Sequence, residues 1–351
     1  MTELHRKNHF VPQFYLKKWS SDGHKIWGYK LLVPHQNVPL WKLYSIKSIA
    51  YHSHLYTVQF DDGESDEFER WIEKEFETPA EEAITKVISG RRLYPEDWEK
   101  LIKFAAAQSM RTPARLQKEL ERMKNEMPRI LDTTLQNVVK ALEEGSIPKS
   151  LSNTSDDGIE YLPINISKEP STEPGKALLK VETLVGRSAW LYEVKHILTK
   201  TIKVLLNYKW SIMHPAHGVK WITSDDPVIP LNYYGKGSYN YGGGWGRKGS
   251  QILLPLSPQH MLYIQVGEKS PPRIDLSYER SIELLDIIAK HADRHIFATE
   301  PIEEIENIRP RIVDPEAYKD EKKVWARWHE EQSSAEKKYV SKTKDKKPND
   351  L

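Results

Sequence analysis

Apolar and polar positions alternate along residues 8–60, the period of half-buried strands. In "HKIWGYKL", Ile26, Gly28 and Lys30 fall on one face and Trp27, Tyr29 and Leu31 on the other. "SHLYTVQF" predicts a second short strand, ending in the turn chemistry of "DDGES". The period then lengthens to that of a helix beginning near Ser65, with Phe68, Ile72 and Phe76 as its stripe and Trp71 alongside. Thr78 before Pro79, with Glu81 at the third helical position, has the form of a capping box and predicts a kink or restart. Ala80, Ala83, Ile84 and Val87 continue the buried face to a stop at Gly90.

A helix starting at Pro95 carries Trp98, Leu101, Phe104 and Ala105 inward. A second Thr-Pro, at Thr112 and Pro113, repeats the restart signal, and a highly charged helix follows to about Glu144. Residues 145–175 hold Ser, Pro, Asp and Gly at loop density and predict a long insertion. Helix resumes where Leu191, Val194, Leu198 and Leu205 recur at helical spacing. "YKWSIMH", "VKWITSDDPVIPL" and "QILLPLSPQHMLYIQVG" then predict strands, and "YERSIELLDIIAKHA" followed by "RHIFAT" predicts a closing helix and strand. From about Glu316 charges of both signs predict a helix fraying into a solvated tail. Strands, helices and strands without regular alternation give an α+β fold, with a mixed or antiparallel sheet against long helices. The expected organisation is one body over 1–315 and a charged tail over 316–351.

Composition removes several classes. The 351 residues are 38% hydrophobic with 11 Trp and 17 Tyr, enough for a sizeable core. Cysteine is absent, which excludes disulfides, thiolate metal sites and a Cys nucleophile, and fits a reducing cytosol. No apolar run spans a membrane, and no secretory h-region opens the chain. The net charge of +2 selects no partner class by itself.

The informative positions are polar groups placed at a cost. Steps of three and four carry the apolar stripe of the Pro95 helix on to Gln108 and Arg111. A buried Arg111 needs a partner: either an internal carboxylate that pins the kink, or a bound anion or phosphate. In "WITSDDPVIP" a strand ends in Thr223, Ser224, Asp225 and Asp226, where one carboxylate can cap the turn and Asp225 can face a cleft. In the opening "RKNHFVPQFYLKKW", an extended reading puts His9, Gln13 and Tyr15 in one polar-tipped row, with Pro12 arguing for an arm laid across the body.

Histidine pairs at 52/54, 214/217 and 291/295 provide no complete metal-ligand set, since residue 292 is Ala where a zincin motif needs Glu. The stretch 234–250 has seven glycines without a P-loop ending and predicts a flexible hairpin loop. Its aromatics and cations could alternatively contact single-stranded nucleic acid.

"HFVPQFYLKKW", "AAQSMRTP", "WITSDDPV", "LPLSP" and "ADRHIFA", in that order over roughly residues 8–300, resemble the bacterial family known as domain of unknown function 4238. Its motif positions fall on His9, Pro12, Gln13, Tyr15, Leu16, Gln108, Arg111, Asp225 and Pro227. The resemblance implies a shared architecture and a common site, and no particular reaction.

Two functions follow as expectations. In a metal-independent nuclease or phosphoryl-transfer enzyme of the cytosol, His9 is the general acid or base and Arg111 holds the phosphate. There Gln108 orients the substrate, and Asp225 orients His9 or carries the second proton, with Gln13, Tyr15 and Ser224 as further substrate contacts. In a non-enzymatic module the same cleft binds an anionic ligand, a peptide or nucleic acid. Neither needs a cofactor or a metal. A wholly structural Arg111–Asp225 pair is the third possibility.

Overall fold

The computed structural model describes residues 4–60, 63–145, 164–172 and 177–344. Residues 1–3, the predicted turn residues 61–62, most of the predicted 145–175 insertion and the chain from 345 lie outside the described residues. The helices are α1 (Gln13–Leu16), α2 (Glu67–Ile72), α3 (Thr78–Ile88), α4 (Pro95–Met110), α5 (Pro113–Glu143), α6 (Arg187–His196), α7 (Lys203–Leu206), α8 (Tyr278–His291), α9 (Glu304–Ile308) and α10 (Pro315–Lys344). None of them is long and apolar enough to cross a membrane.

Two sheets organise the α+β fold. A six-stranded sheet runs Ser238–Asn240, Ile229–Gly235, Gln251–Ser257, His260–Gln265, Ser211–His214, Arg273–Asp275, antiparallel except at its last pair. A four-stranded antiparallel sheet runs Thr223–Ser224, His295–Ala298, Lys25–Lys30, Trp41–Ser45. In the second sheet His295 lies opposite Lys30, and Ser224 opposite Ile296. A two-stranded pair joins Lys7–His9 to Tyr51–Ser53, with Asn8 opposite His52 and His9 opposite Tyr51.

Local chemistry explains the helix ends. The Tyr94 amide donates to Asp97 Oδ2 at 2.9 Å, which starts α4 with Pro95 in its first turn. Thr112 Oγ1 accepts from the Arg115 amide at 3.3 Å and so caps α5, the predicted restart. Gly90, with φ at +65°, ends the helix before it, as its lack of a side chain allows. At Thr78 the expected capping box is absent. Glu77 is helical and makes no side-chain cap, and a π-helical turn over Glu73–Glu77 carries the chain into α3 without a restart.

Two further expectations are corrected. The glycine-rich stretch is not a free loop. Tyr239 Oη donates to Asp286 Oδ2 at 3.1 Å, and Tyr241 Oη to the Ile287 carbonyl at 3.0 Å, which ties it to α8. Gly243 lies so close to the backbone of Pro230 and Leu231 that a Cβ would come within 2.8 Å of it. The tail, in turn, is a docked helix. Glu336 of α10 is buried and bonds Arg187 Nη2 at 2.5 Å and the Gln59 amide at 2.9 Å.

Candidate functional site

The opening segment is a strand only as far as His9. Pro12, with φ −61° and ψ 142°, launches α1 and turns Gln13 and Tyr15 onto different sides. Tyr15 is fully buried and bonds Thr223 Oγ1 at 2.7 Å and the Pro255 carbonyl at 2.5 Å. The polar row of His9, Gln13 and Tyr15 therefore does not form, and the Tyr15 hydroxyl is spent inside the core. Ser224 is also buried, its hydroxyl accepting from the Asp226 amide at 3.2 Å.

Gln108 and Arg111 do turn inward, both essentially without solvent exposure. Gln108 Nε2 donates to the Phe10 carbonyl at 2.7 Å. The Arg111 guanidinium pairs with Glu77 and donates to the His9 carbonyl. Burial opposes its charge, but Glu77, Tyr56 and Glu69 outweigh that and raise its pKa. Both terminal nitrogens are engaged within the protein, so the expected phosphate fork is closed. These two side chains instead pin the backbone of residues 9 and 10.

His9 and Gln13 border an open cavity of about 590 Å³ with Glu69, Glu73 and Glu77. Burial, then Lys7 and Arg111, lowers the His9 pKa to about 4, leaving a neutral ring at pH 7. Burial raises Glu69 to about 8. Asp225 borders a different cavity, and among the described residues no hydrogen bond or ion pair joins it to His9, Gln108 or Arg111. The single cleft expected from the four residues is thus two cavities flanking the opening segment.

The Asp225 cavity, about 230 Å³, collects more of the chemistry. Its polar wall comes from Lys30, His52, Asp225, Asp293, Arg294 and His295. Asp225 builds this wall. Its Oδ1 accepts from the Asp293 amide at 3.1 Å, and its Oδ2 from the amides of Arg294 and His295 at 2.8 and 3.0 Å. One carboxylate thereby fixes three consecutive ionisable residues where α8 gives way to a strand.

Asp293 is the perturbed group. Burial and the neighbouring Asp225 charge raise its pKa to about 6, against the pull of Arg294. Arg294 Nη1 donates to Asp293 Oδ1 at 2.8 Å, and its Nε to Glu321 Oε2 at 2.5 Å. Lys30 has no carboxylate partner among the described residues, and burial lowers its pKa, with Lys42 adding to the effect. His52 lies between Phe10 (centroids 5.4 Å, 27°) and Trp325 (3.8 Å, 15°), and burial lowers its pKa to about 4. Ala50, on the same wall, holds a φ of +53°, a left-handed strain of the kind concentrated at sites. Asp226 points away, toward His291, whose Nε2 is 3.8 Å from its carboxylate.

Among the described residues one histidine group has metal-like spacing: His54, Glu64 and His329. Arg187 Nη1 is 3.1 Å from His329 Nδ1, and His329 Nε2 is 2.8 Å from Glu64 Oε1. A guanidinium can only donate, so Nδ1 accepts and Nε2 carries the proton shared with Glu64. A metal on Nε2 would require an imidazolate, so this trio does not fit one.

Fold and cavity together define an α+β protein with an acid–base cluster at the junction of its four-stranded sheet and α8. The chain belongs to the family described as "Protein of unknown function (DUF4238)", which matches residues 7–301. No curated protein and no solved structure matches it. Phe10, Pro113, Asp225 and Asp293–His295, from four of the stretches that carry the family resemblance, meet at the smaller cavity. Sequence reasoning selected Asp225 and missed Asp293, Arg294, Lys30 and His52. The signal for the first two was "ADRHIFA", three ionisable residues wedged between an apolar helix end and an apolar strand.

Proposed function

We propose that the smaller cavity is the active site of a hydrolase that cleaves phosphoesters by side-chain acid–base chemistry, with nucleic acid among its candidate substrates. The observation that carries this reading is Asp293, a carboxyl raised to about 6 beside Arg294, on a wall shared with Lys30, which has no carboxylate partner among the described residues. A group with that pKa is largely ionised at pH 7 and still accepts a proton readily. Asp293 takes a proton from the attacking water, the new P–O bond forms as the ester P–O bond breaks, and the leaving oxygen is protonated by solvent. Lys30 and Arg294 hold the phosphoryl oxygens, and Asp225 positions the 293–295 segment. His9, Gln108 and Arg111 act at a distance, by fixing the wall that carries Phe10.

The test is turnover of bis(p-nitrophenyl) phosphate and of single-stranded oligonucleotides by the full chain. Asp293→Asn should lower turnover by about 10²–10⁴-fold while melting remains cooperative. No turnover of any phosphoester by the wild type, or unchanged turnover in Asp293→Asn, ends the proposal.

A second reading, non-enzymatic binding of an anionic ligand, is favoured by one observation: Lys30 borders the cavity with no carboxylate partner among the described residues. Under it, phosphate binds in the cavity and no product forms.

A further inference from the structure

Helix α10 lies beyond the matched segment 7–301, yet it supplies two side chains to the cavity. Glu321 accepts from Arg294 Nε at 2.5 Å, and the Trp325 indole stacks on the His52 ring at 3.8 Å and 15°. Four residues apart, they share one helix face and are separated by about 6 Å of helix rise. A carboxylate thus sits on the guanidinium that faces the cavity, and a planar ring covers the imidazole beside it. Among the described residues Lys30 remains a partly buried cation without a counter-ion. The helix is anchored elsewhere, through the sealed Arg187–Glu336 pair, whereas Arg294 and Glu321 keep about a third of their side-chain surface in solvent, at 35% and 27%. The polar contact ahead of the buried Trp328 is therefore more open to solvent than the one beyond it.

We infer that Glu321 and Trp325 stand in the places of the ligand's anion and ring. The ligand is a phosphoester carrying a planar aromatic group, an aryl or nucleoside phosphate, and the segment of α10 ahead of Trp328 is a built-in competitor that gives way when it binds. The inference rests on the cavity being an anion site, as proposed above. Its consequence separates occupancy from packing: removing an occupant tightens ligand binding, whereas removing a packing contact loosens it or leaves it unchanged.

The experiment titrates 1-naphthyl phosphate and inorganic phosphate against the full chain in an Asp293→Asn background, where the probe is not consumed. Glu321→Gln, nearly isosteric, should bind both probes about tenfold more tightly. Trp325→Leu should tighten naphthyl phosphate by a similar factor and leave inorganic phosphate unchanged. Hydrogen exchange over residues 315–327 should quicken when the wild type is saturated with naphthyl phosphate, while 328–344 stays protected. Unchanged or weaker naphthyl phosphate binding in Glu321→Gln overturns the inference, even if Trp325→Leu fails to fold. Phosphate binding without any tightening in the variants ends this inference alone. Failure of every variant to bind either probe ends the anion site itself.

Discussion

Two polar clusters flank the opening segment, and they differ in how their charges are matched. Around Arg111 the terminal guanidinium nitrogens and the Gln108 amide nitrogen are spent on Glu77 and on the carbonyls of His9 and Phe10. Around Asp293 the matching is incomplete: among the described residues Lys30 has no counter-ion, and Arg294 is shared by two carboxylates. In the first cluster Gln108 and Arg111 are buried and only its margin, at His9 and Glu77, reaches a cavity, whereas Asp225, Asp293 and Arg294 of the second all line one. The cost of burying a polar group marks where a fold is constrained, and only an unmatched group marks where it can react.

The largest effect should come from breaking the first cluster. Arg111→Ala leaves Glu77 without its cation and the His9 carbonyl without its donor, and should cost about 3–5 kcal/mol of stability. A denaturant melt within about 1 kcal/mol of wild type would show that Arg111 is not holding the frame.

Asp293→Asn tests the other side. Turnover should fall by the stated factor with no loss of stability at pH 7, where the neutral amide avoids the cost of the ionised carboxylate. In the wild type the rate should decline as pH drops below about 6, where the base becomes protonated. Stability runs the other way. The folded pKa lies above the ordinary 3.8, so this residue's contribution is full below that value and is lost as pH rises through about 6. Asp293→Asn should flatten that part of the stability–pH curve. A wild-type rate independent of pH between 5 and 7 would remove Asp293 as the base.

Gln108→Ala is the milder probe of the frame. It strips one donor from the buried Phe10 carbonyl and should cost about 1–3 kcal/mol. Because Phe10 borders the cavity and stacks on His52, ligand affinity should weaken more than the melt alone implies. An affinity that follows stability with no excess would mean the frame does not shape the site.

What could be read in advance follows from range. The inward path of Leu101, Phe104, Ala105, Gln108 and Arg111 is set by helix period, and the Thr112 cap and Gly90 stop by local chemistry. Asp225 was legible as a carboxylate at a strand end. Its partners were not, because the amides of residues 293–295 reach it only through sheet pairing across about seventy residues of chain. Charge density suggested a solvated tail after Glu316, yet Trp325, Trp328 and Glu336 dock it. A helix rich in charge can still bury the one stripe that matters.

The smallest expected effect is none at all, and it sharpens the contrast from a third place. His54, Glu64 and His329 have the spacing of a divalent-cation site, and the first and last rings stack at 3.9 Å. Arg187, fully buried and paired with Glu336, presents Nη1 to His329 Nδ1 and to the His54 carbonyl. That donor fixes the tautomer, so Nε2 must give up a proton held by Glu64 before it could bind a metal. Zinc at ten times the protein concentration should shift the melting temperature by less than about 1 °C, against the several degrees that a site of even modest affinity would give. His329→Gln should weaken the docking of α10 and leave this zinc response unchanged. A clear zinc-induced stabilisation lost in His329→Gln would show that Arg187 does not hold the ring in this state, and would make the trio a metal site after all.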